Sequence, residues 1–291
     1  MNINEIEQLF QSKGLQKKWD MFKPFIRNSI VVSEIPVNEP KIKIGQSKIG
    51  GEPDLPDHLS WPTWKGKPLS FLAQINLNET QPYDAEKVLP SHGIASFFYH
   101  AKQKIWGNDP KDKGSFRVLY HDESVDKLKR RISPDILPKS SIFRPCRLSF
   151  REEWSVPNYE CSLIEDFFST DEGDKYCEFL ENIYNHINTN TKLLGHSDTI
   201  QGAMEIKCEW MSLGYTQEDI EAFDEDGFNE NDPQYLKSRA DALHWRLLLQ
   251  LDSLDNAKMM WGDSGRLFFW IKDTDLSSVN FENVWMMLQC Y

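Results

Sequence analysis

Two apolar segments of this chain carry the same pattern. Phe71-Leu-Ala-Gln-Ile-Asn76 and Leu247-Leu-Leu-Gln-Leu-Asp252 each hold one Gln inside an apolar run and end on a short polar side chain. Nineteen residues after Gln74 a glycine opens Gly93-Ile-Ala-Ser-Phe-Phe-Tyr99, and fifteen residues after Gln250 another opens Gly265-Arg-Leu-Phe-Phe-Trp-Ile271. Upstream, Ile49-Gly-Gly51 has its counterpart in Leu193-Leu-Gly195. Self-similarity of this kind constrains the fold before any single motif does. It predicts an α+β protein: a largely antiparallel sheet built from two similar, duplicated halves, with helices packed on it. The pseudo-repeats run about 40–150 and about 190–291, and the second contains an acidic helical insertion near 205–240. No Gly/Ser-rich or Pro-rich linker divides them, so 1–291 reads as a single compact domain.

Local periodicity fills in the elements. Cys146, Leu148 and Phe150 alternate with Arg147, Ser149 and Arg151, the pattern of a strand with one wet face. Met204, Ile206, Cys208 and Trp210 alternate with charged residues in the same way and are read as a second such strand. Phe97-Phe98-Tyr99 and Leu267–Ile271 read as central strands covered on both faces, and Val284–Tyr291 as a terminal strand tied into the sheet. Tyr176, Phe179, Leu180, Ile183, Tyr184 and Ile187 form one apolar helical stripe. Ile6, Leu9 and Phe10 predict an N-terminal helix capped by Asn4, and Thr216-Gln-Glu-Asp219 resembles a capping box.

Charge excludes some classes. With 33 Lys+Arg against 45 Asp+Glu the net charge is −12, which argues against general nucleic-acid binding and anionic membranes. Residues 102–151 are locally basic, whereas 160–181 and 205–232 are acidic. The longest apolar runs fall short of the roughly 18 residues of a membrane span, and the N-terminus has no signal-peptide pattern, so a cytoplasmic protein is expected. The five cysteines are too far apart for a metal or redox pair and read as reduced thiols.

Several residues could carry function. A Gln within an apolar strand must satisfy its amide. Gln74 and Gln250 therefore either bond neighbouring backbone or point into a shared cleft and bind a ligand. Trp61, next to Pro62, packs as a lid on the sheet or forms a stacking platform. Asp252, Asp255 and Asp263 cluster around the second loop, with Trp261-Gly-Asp-Ser-Gly265 its most distinctive stretch. Asp residues in turns bond local backbone; paired carboxylates can also do acid–base work. No histidine spacing forms a zinc motif, and Asp224–Asp232 misses the calcium-loop pattern, so no metal or cofactor is expected.

The series Ser47-Lys-Ile-Gly-Gly-Glu-Pro-Asp-Leu-Pro56, Trp61-Pro62, Pro68–Leu77, Leu89-Pro90 with Gly93, then Leu248–Asp252 and Gly262-Asp-Ser-Gly-Arg-Leu-Phe-Phe-Trp270, resembles the YwqG-like family of bacterial proteins. The resemblance runs from about residue 40 to the C-terminus. It implies an α+β fold, a bacterial cytoplasmic origin and no catalytic assignment, since the family is a domain of unknown function. It also pulls toward an immunity-like role. Two functions follow: a non-enzymatic protein that binds a partner protein or ligand through aromatic or acidic surface (Trp61, Gln74, Gln250, Asp252, Trp261, Asp263), or a hydrolase or other enzyme using Asp252, Asp255 or Asp263 with His244.

Overall fold

The computed structural model describes residues 1–161, 163–164, 167–184, 190–216, 218–220 and 233–291. Its strands are β1 (Arg27–Pro36), β2 (Lys48–Ile49), β3 (Asp54–Pro56), β4 (Thr63–Trp64), β5 (Lys67–Pro68), β6 (Ser70–Asn76), β7 (Ile94–Tyr99), β8 (Phe116–His121), β9 (Leu128–Arg130), β10 (Cys146–Ser155), β11 (Lys192–Leu194), β12 (Trp245–Asp252), β13 (Arg266–Lys272) and β14 (Trp285–Gln289). Helices are α1 (Ile3–Ser12), α2 (Trp19–Phe22), α3 (Leu77–Thr80), α4 (Thr170–Tyr184), α5 (Glu205–Leu213), α6 (Pro233–Ala242) and α7 (Asp273–Ser277).

Ten strands form one antiparallel sheet in the order β14-β13-β12-β11-β1-β10-β2-β6-β7-β8. This is the expected α+β architecture. β1 and β10 are the long central pair, in continuous register from Arg27 opposite Ser155 to Pro36 opposite Cys146. Outward from that pair the chain runs β11, β12, β13, β14 on one side and β2, β6, β7, β8 on the other. A register shift falls at Phe71/Ala73 in β6 and at Leu247/Leu249 in β12, the same step of the shared pattern.

The sheet curls until its inner faces meet. Phe97 of β7 packs edge-on against Phe269 of β13 with ring centroids 5.2 Å apart, and Tyr99 meets Trp261 at 6.0 Å. Its edges also come together. Leu288 N–H donates to Trp106 O at 3.0 Å, and Trp285 Nε1 donates to Gly107 O at 2.9 Å. Each large side chain buried in this core stabilises the fold by about 1.5–3 kcal/mol.

A second core lies beyond the sheet. Phe10, Trp19 and Phe22 from the N-terminal segment interleave with Tyr176 and Phe179 of α4. The stripe read from the sequence buries Tyr176, Phe179 and Leu180, whereas Tyr184 is exposed and Ile187 lies outside the described residues. α1 is capped by Asn2 rather than Asn4, in a reciprocal box with Glu5. Thr216 and Asp219 close the expected box.

One predicted strand is a helix. Met204–Trp210 does not extend the sheet; α5 runs from Glu205 to Leu213 and is capped by Gly214, whose φ is 95°. Met204 and Cys208 stand four apart, as do Ile206 and Trp210, so each pair stacks along the helix although the two pairs lie on different sides. Glu209, on the wet face of the predicted strand, is buried and binds Lys272 Nζ at 2.7 Å and Trp245 Nε1 at 2.7 Å. The acidic stretch 221–232 of the expected insertion lies outside the described residues. All five cysteines are free thiols; Cys177 is exposed and the other four are buried.

Candidate functional site

Gln74 and Gln250 occupy the middle of β6 and β12, opposite Lys48 and Lys192 in the ladders. Gln74 Oε1 accepts from Asp54 N at 2.8 Å, while its Nε2 donates to Asp54 Oδ2 and to Gln46 O, both at 2.8 Å. Gln250 Oε1 accepts from Asp198 N at 2.9 Å, while its Nε2 donates to Asp198 Oδ2 at 2.6 Å and to Asn190 O. The lysines reach the same carboxylates: Lys48 Nζ is 3.4 Å from Asp54 Oδ2, and Lys192 Nζ is 2.8 Å from Asp198 Oδ2. Just below, Asn76 N donates to Ser47 Oγ and Asp252 N to Thr191 Oγ1.

Each set is a clasp that ties a tight turn to the sheet. Gly50 and Gly51 have φ of 64° and 70°; Leu194 and Gly195 have 58° and 72°. A Cβ at Gly50 would lie 2.2 Å from the backbone Arg144 O, and one at Gly195 2.6 Å from Ser29 Cβ, so neither position accommodates a side chain. Lys48 and Asp54 are fully buried, and burial pushes the Lys48 pKa down against the opposing pull of Asp54. Arg130 Nε completes the first clasp at 3.0 Å from Asp54 Oδ1. The backbone reading of the two glutamines is thus met, with an aspartate added to each, and the pair does not share a cleft.

Lys48, Asp54, Lys192 and Asp198 escaped the sequence reading. Their signal was nonetheless present: Lys48-Ile-Gly-Gly-Glu-Pro-Asp54 and Lys192-Leu-Leu-Gly-His-Ser-Asp198 share one spacing and extend the glycine match in both directions.

The remaining candidates are dispersed. Asp252 Oδ1 sits 3.3 Å from Arg266 Nε, and its Oδ2 accepts from Asn190 Nδ2 at 3.0 Å. Trp261 is buried in the core, its Nε1 donating to Asp252 O at 3.0 Å. Asp255 and Asp263 are exposed. His244 precedes the first residue of β12 whereas Asp252 is the last, which separates them by about 25 Å at the rise of an extended strand. Among the described residues, no hydrogen bond or ion pair joins Asp252, Asp255, Asp263 and His244 to one another. Among the described residues, no cluster of His, Cys, Asp and Glu is arranged to hold a metal ion.

Trp61 is half-buried on the wall of a groove. Its ring packs edge-on to Phe98 at 5.6 Å and its Nε1 donates to Leu69 O at 2.8 Å. With Arg117, Tyr120, Phe281 and Glu282 it lines a groove of about 500 Å³ at the seam where the sheet edges approach. Tyr120 and Phe281 stack across that seam with centroids 5.2 Å apart. A second groove of about 540 Å³, lined by Met211, Trp245, Lys272 and Trp285, holds none of the candidates.

A curled antiparallel sheet with two buried Lys–Asp–Gln clasps and an aromatic seam groove defines the protein's class as α+β. The chain belongs to the DUF1963 family, described as a domain of unknown function, which it matches over residues 47–290. No curated protein matches it. Among the described residues, no helix is long and apolar enough to cross a membrane.

Proposed function

We propose that this is a non-enzymatic binding protein, and that it takes a partner protein or small ligand in the seam groove beside Trp61. One observation carries the reading. The Gln and Asp candidates within the sheet are consumed by internal bonds, while Trp61 lines a recess of about 500 Å³ with polar and aromatic walls. Such recesses are where ligands and partners bind. The alternative, a hydrolase using Asp252 and Asp263, lacks any pairing with His244.

The same reading takes the chain as one compact domain built from two copies of a unit. The equal Lys-to-Asp spacing, matched clasps, matched bulges and mirrored strand order support it. The groove then lies between the copies, where neither has a counterpart constraint. A cytoplasmic, immunity-like role fits a binding protein of this kind.

The test places a photo-crosslinking residue at exposed Thr63, on the groove wall, and a control at exposed Asp255. Crosslinking in the source cell and intact-mass analysis catch a protein or a small ligand alike. A discrete adduct at position 63, lost with Trp61→Ala, is expected. Equal adducts at position 255, or none at position 63, would refute the reading.

A further inference from the structure

β8 ends the sheet, and among the described residues no backbone bond reaches the outer side of Phe116–His121. The opposite edge is treated differently. β14 is strapped by residues 105–107, and the strap lies so close that a Cβ on Gly107 would fall 1.9 Å from Met286 O. A six-residue edge with a single Arg and no proline is a template for another strand unless something covers it. Arg117, Val118, Leu119 and Tyr120 all line the seam groove. Consecutive strand residues point to opposite faces, so the groove runs along the open edge and not over one face.

We propose that an extended, acidic segment of a partner protein binds in this groove as an added strand on β8. The inference rests on the groove being the binding site and names its occupant. Residues 59–63 form one wall and 279–282 the other. A single extended segment brings only its own backbone between those walls, whereas the edge of a second copy would bring a whole sheet against them. Main-chain hydrogen bonds to β8 supply register and affinity, as in other strand-addition complexes. An apolar side chain of the segment lies between Trp61 and Phe281. Arg117 is exposed, and among the described residues no carboxylate is ion-paired to it. Lys113, whose pKa burial and then Arg117 push down against the opposing pull of Asp275 and Glu282, lines the second groove. An acidic residue of the segment answers Arg117.

The probe is a random peptide library displayed on phage and selected against the full chain. Synthetic copies of enriched peptides are then titrated by fluorescence polarisation. Enriched peptides are expected to alternate apolar residues and to carry an acid. Their affinity should fall about tenfold or more, some 1.4 kcal/mol, with Arg117→Glu. N-methylating every second peptide amide should abolish binding in one register and spare it in the other. Peptides weakened by Trp61→Ala but indifferent to N-methylation in both registers would overturn the strand while leaving the groove. Peptides indifferent to Trp61→Ala and Arg117→Glu would overturn both. If no peptide enriches, strand addition fails and the Thr63 crosslink decides the groove by itself.

Discussion

Lys48 and Asp54 have no exposed side-chain surface and pair in a site closed by Gln74 and Arg130. Removing one member of such a set leaves the others uncompensated at a cost of about 3–5 kcal/mol. Asp54→Ala leaves Lys48 and Arg130 with Glu39 as their remaining acid, 2.9 Å and 3.2 Å away, and is expected to lose about 3 kcal/mol, the lower end of that range, in urea unfolding. Lys48→Met leaves Asp54 facing Arg130 and should cost distinctly less; equal losses would show that the cations are not held by Asp54. His196 makes the pH counterpart. Burial, and then the charge of Arg27, holds its pKa well below the usual value while the ring bonds Phe25 O at 2.7 Å. That oxygen can only accept, so Nε2 carries the hydrogen. The unfolded chain takes up a proton at this residue near pH 6.5 and the folded one does not. Stability from this group is therefore present above about pH 6.5 and lost as pH falls, by up to about 1.4 kcal/mol per unit. His196→Gln should flatten the stability profile between pH 7 and 5 relative to wild type. Parallel profiles would remove His196 as the cause.

Elements whose burial is one-sided or complete were legible. β7, β10, β13 and β14 fall where alternation or an unbroken apolar run put them, because strand burial leaves its period in the sequence. α5 was not legible as a helix, since its polar Glu209 points inward to Lys272 and Trp245 and so counterfeits a wet strand face. The clasps were half legible: Gln74 and Gln250 stood out against apolar neighbours, but their aspartates lie in turns where Asp is commonplace. The groove could not be read at all, because Trp61, Tyr120 and Phe281 meet only through the curl of the sheet. The strap on β14 depends in the same way on one residue. Gly107 has φ of 81° and no room for a Cβ beside Met286 O. Gly107→Ala is expected to lift the strap, cost about 2 kcal/mol or more and expose a second open edge. Thermal unfolding measures the first effect and concentration-dependent light scattering the second; a wild-type melt with no added scattering would deny the strap its role.

At the scale of the molecule, the family match and the sheet do not share a boundary. The match begins at residue 47, while β1 spans Arg27–Pro36 and stands at the centre of the ten strands. β1 pairs over its full length with β10 and through Ser29–Val31 with β11, so it is the only strand joining the β10 side to the β11 side within the described ladder. The segment before it adds Phe10, Trp19 and Phe22 to the aromatic core against α4. Truncation at two points separates these contributions. A chain of residues 27–291 keeps the sheet and uncovers Tyr176 and Phe179; it is expected to melt cooperatively at a lower temperature. A chain of residues 47–291, although it contains the whole family match, leaves β10 and β11 without their shared partner and is expected to show no cooperative transition by circular dichroism. Cooperative melting of the 47–291 chain would mean that β10 and β11 pair directly, and that the clasped sides of the sheet assemble without the strand that now lies between them.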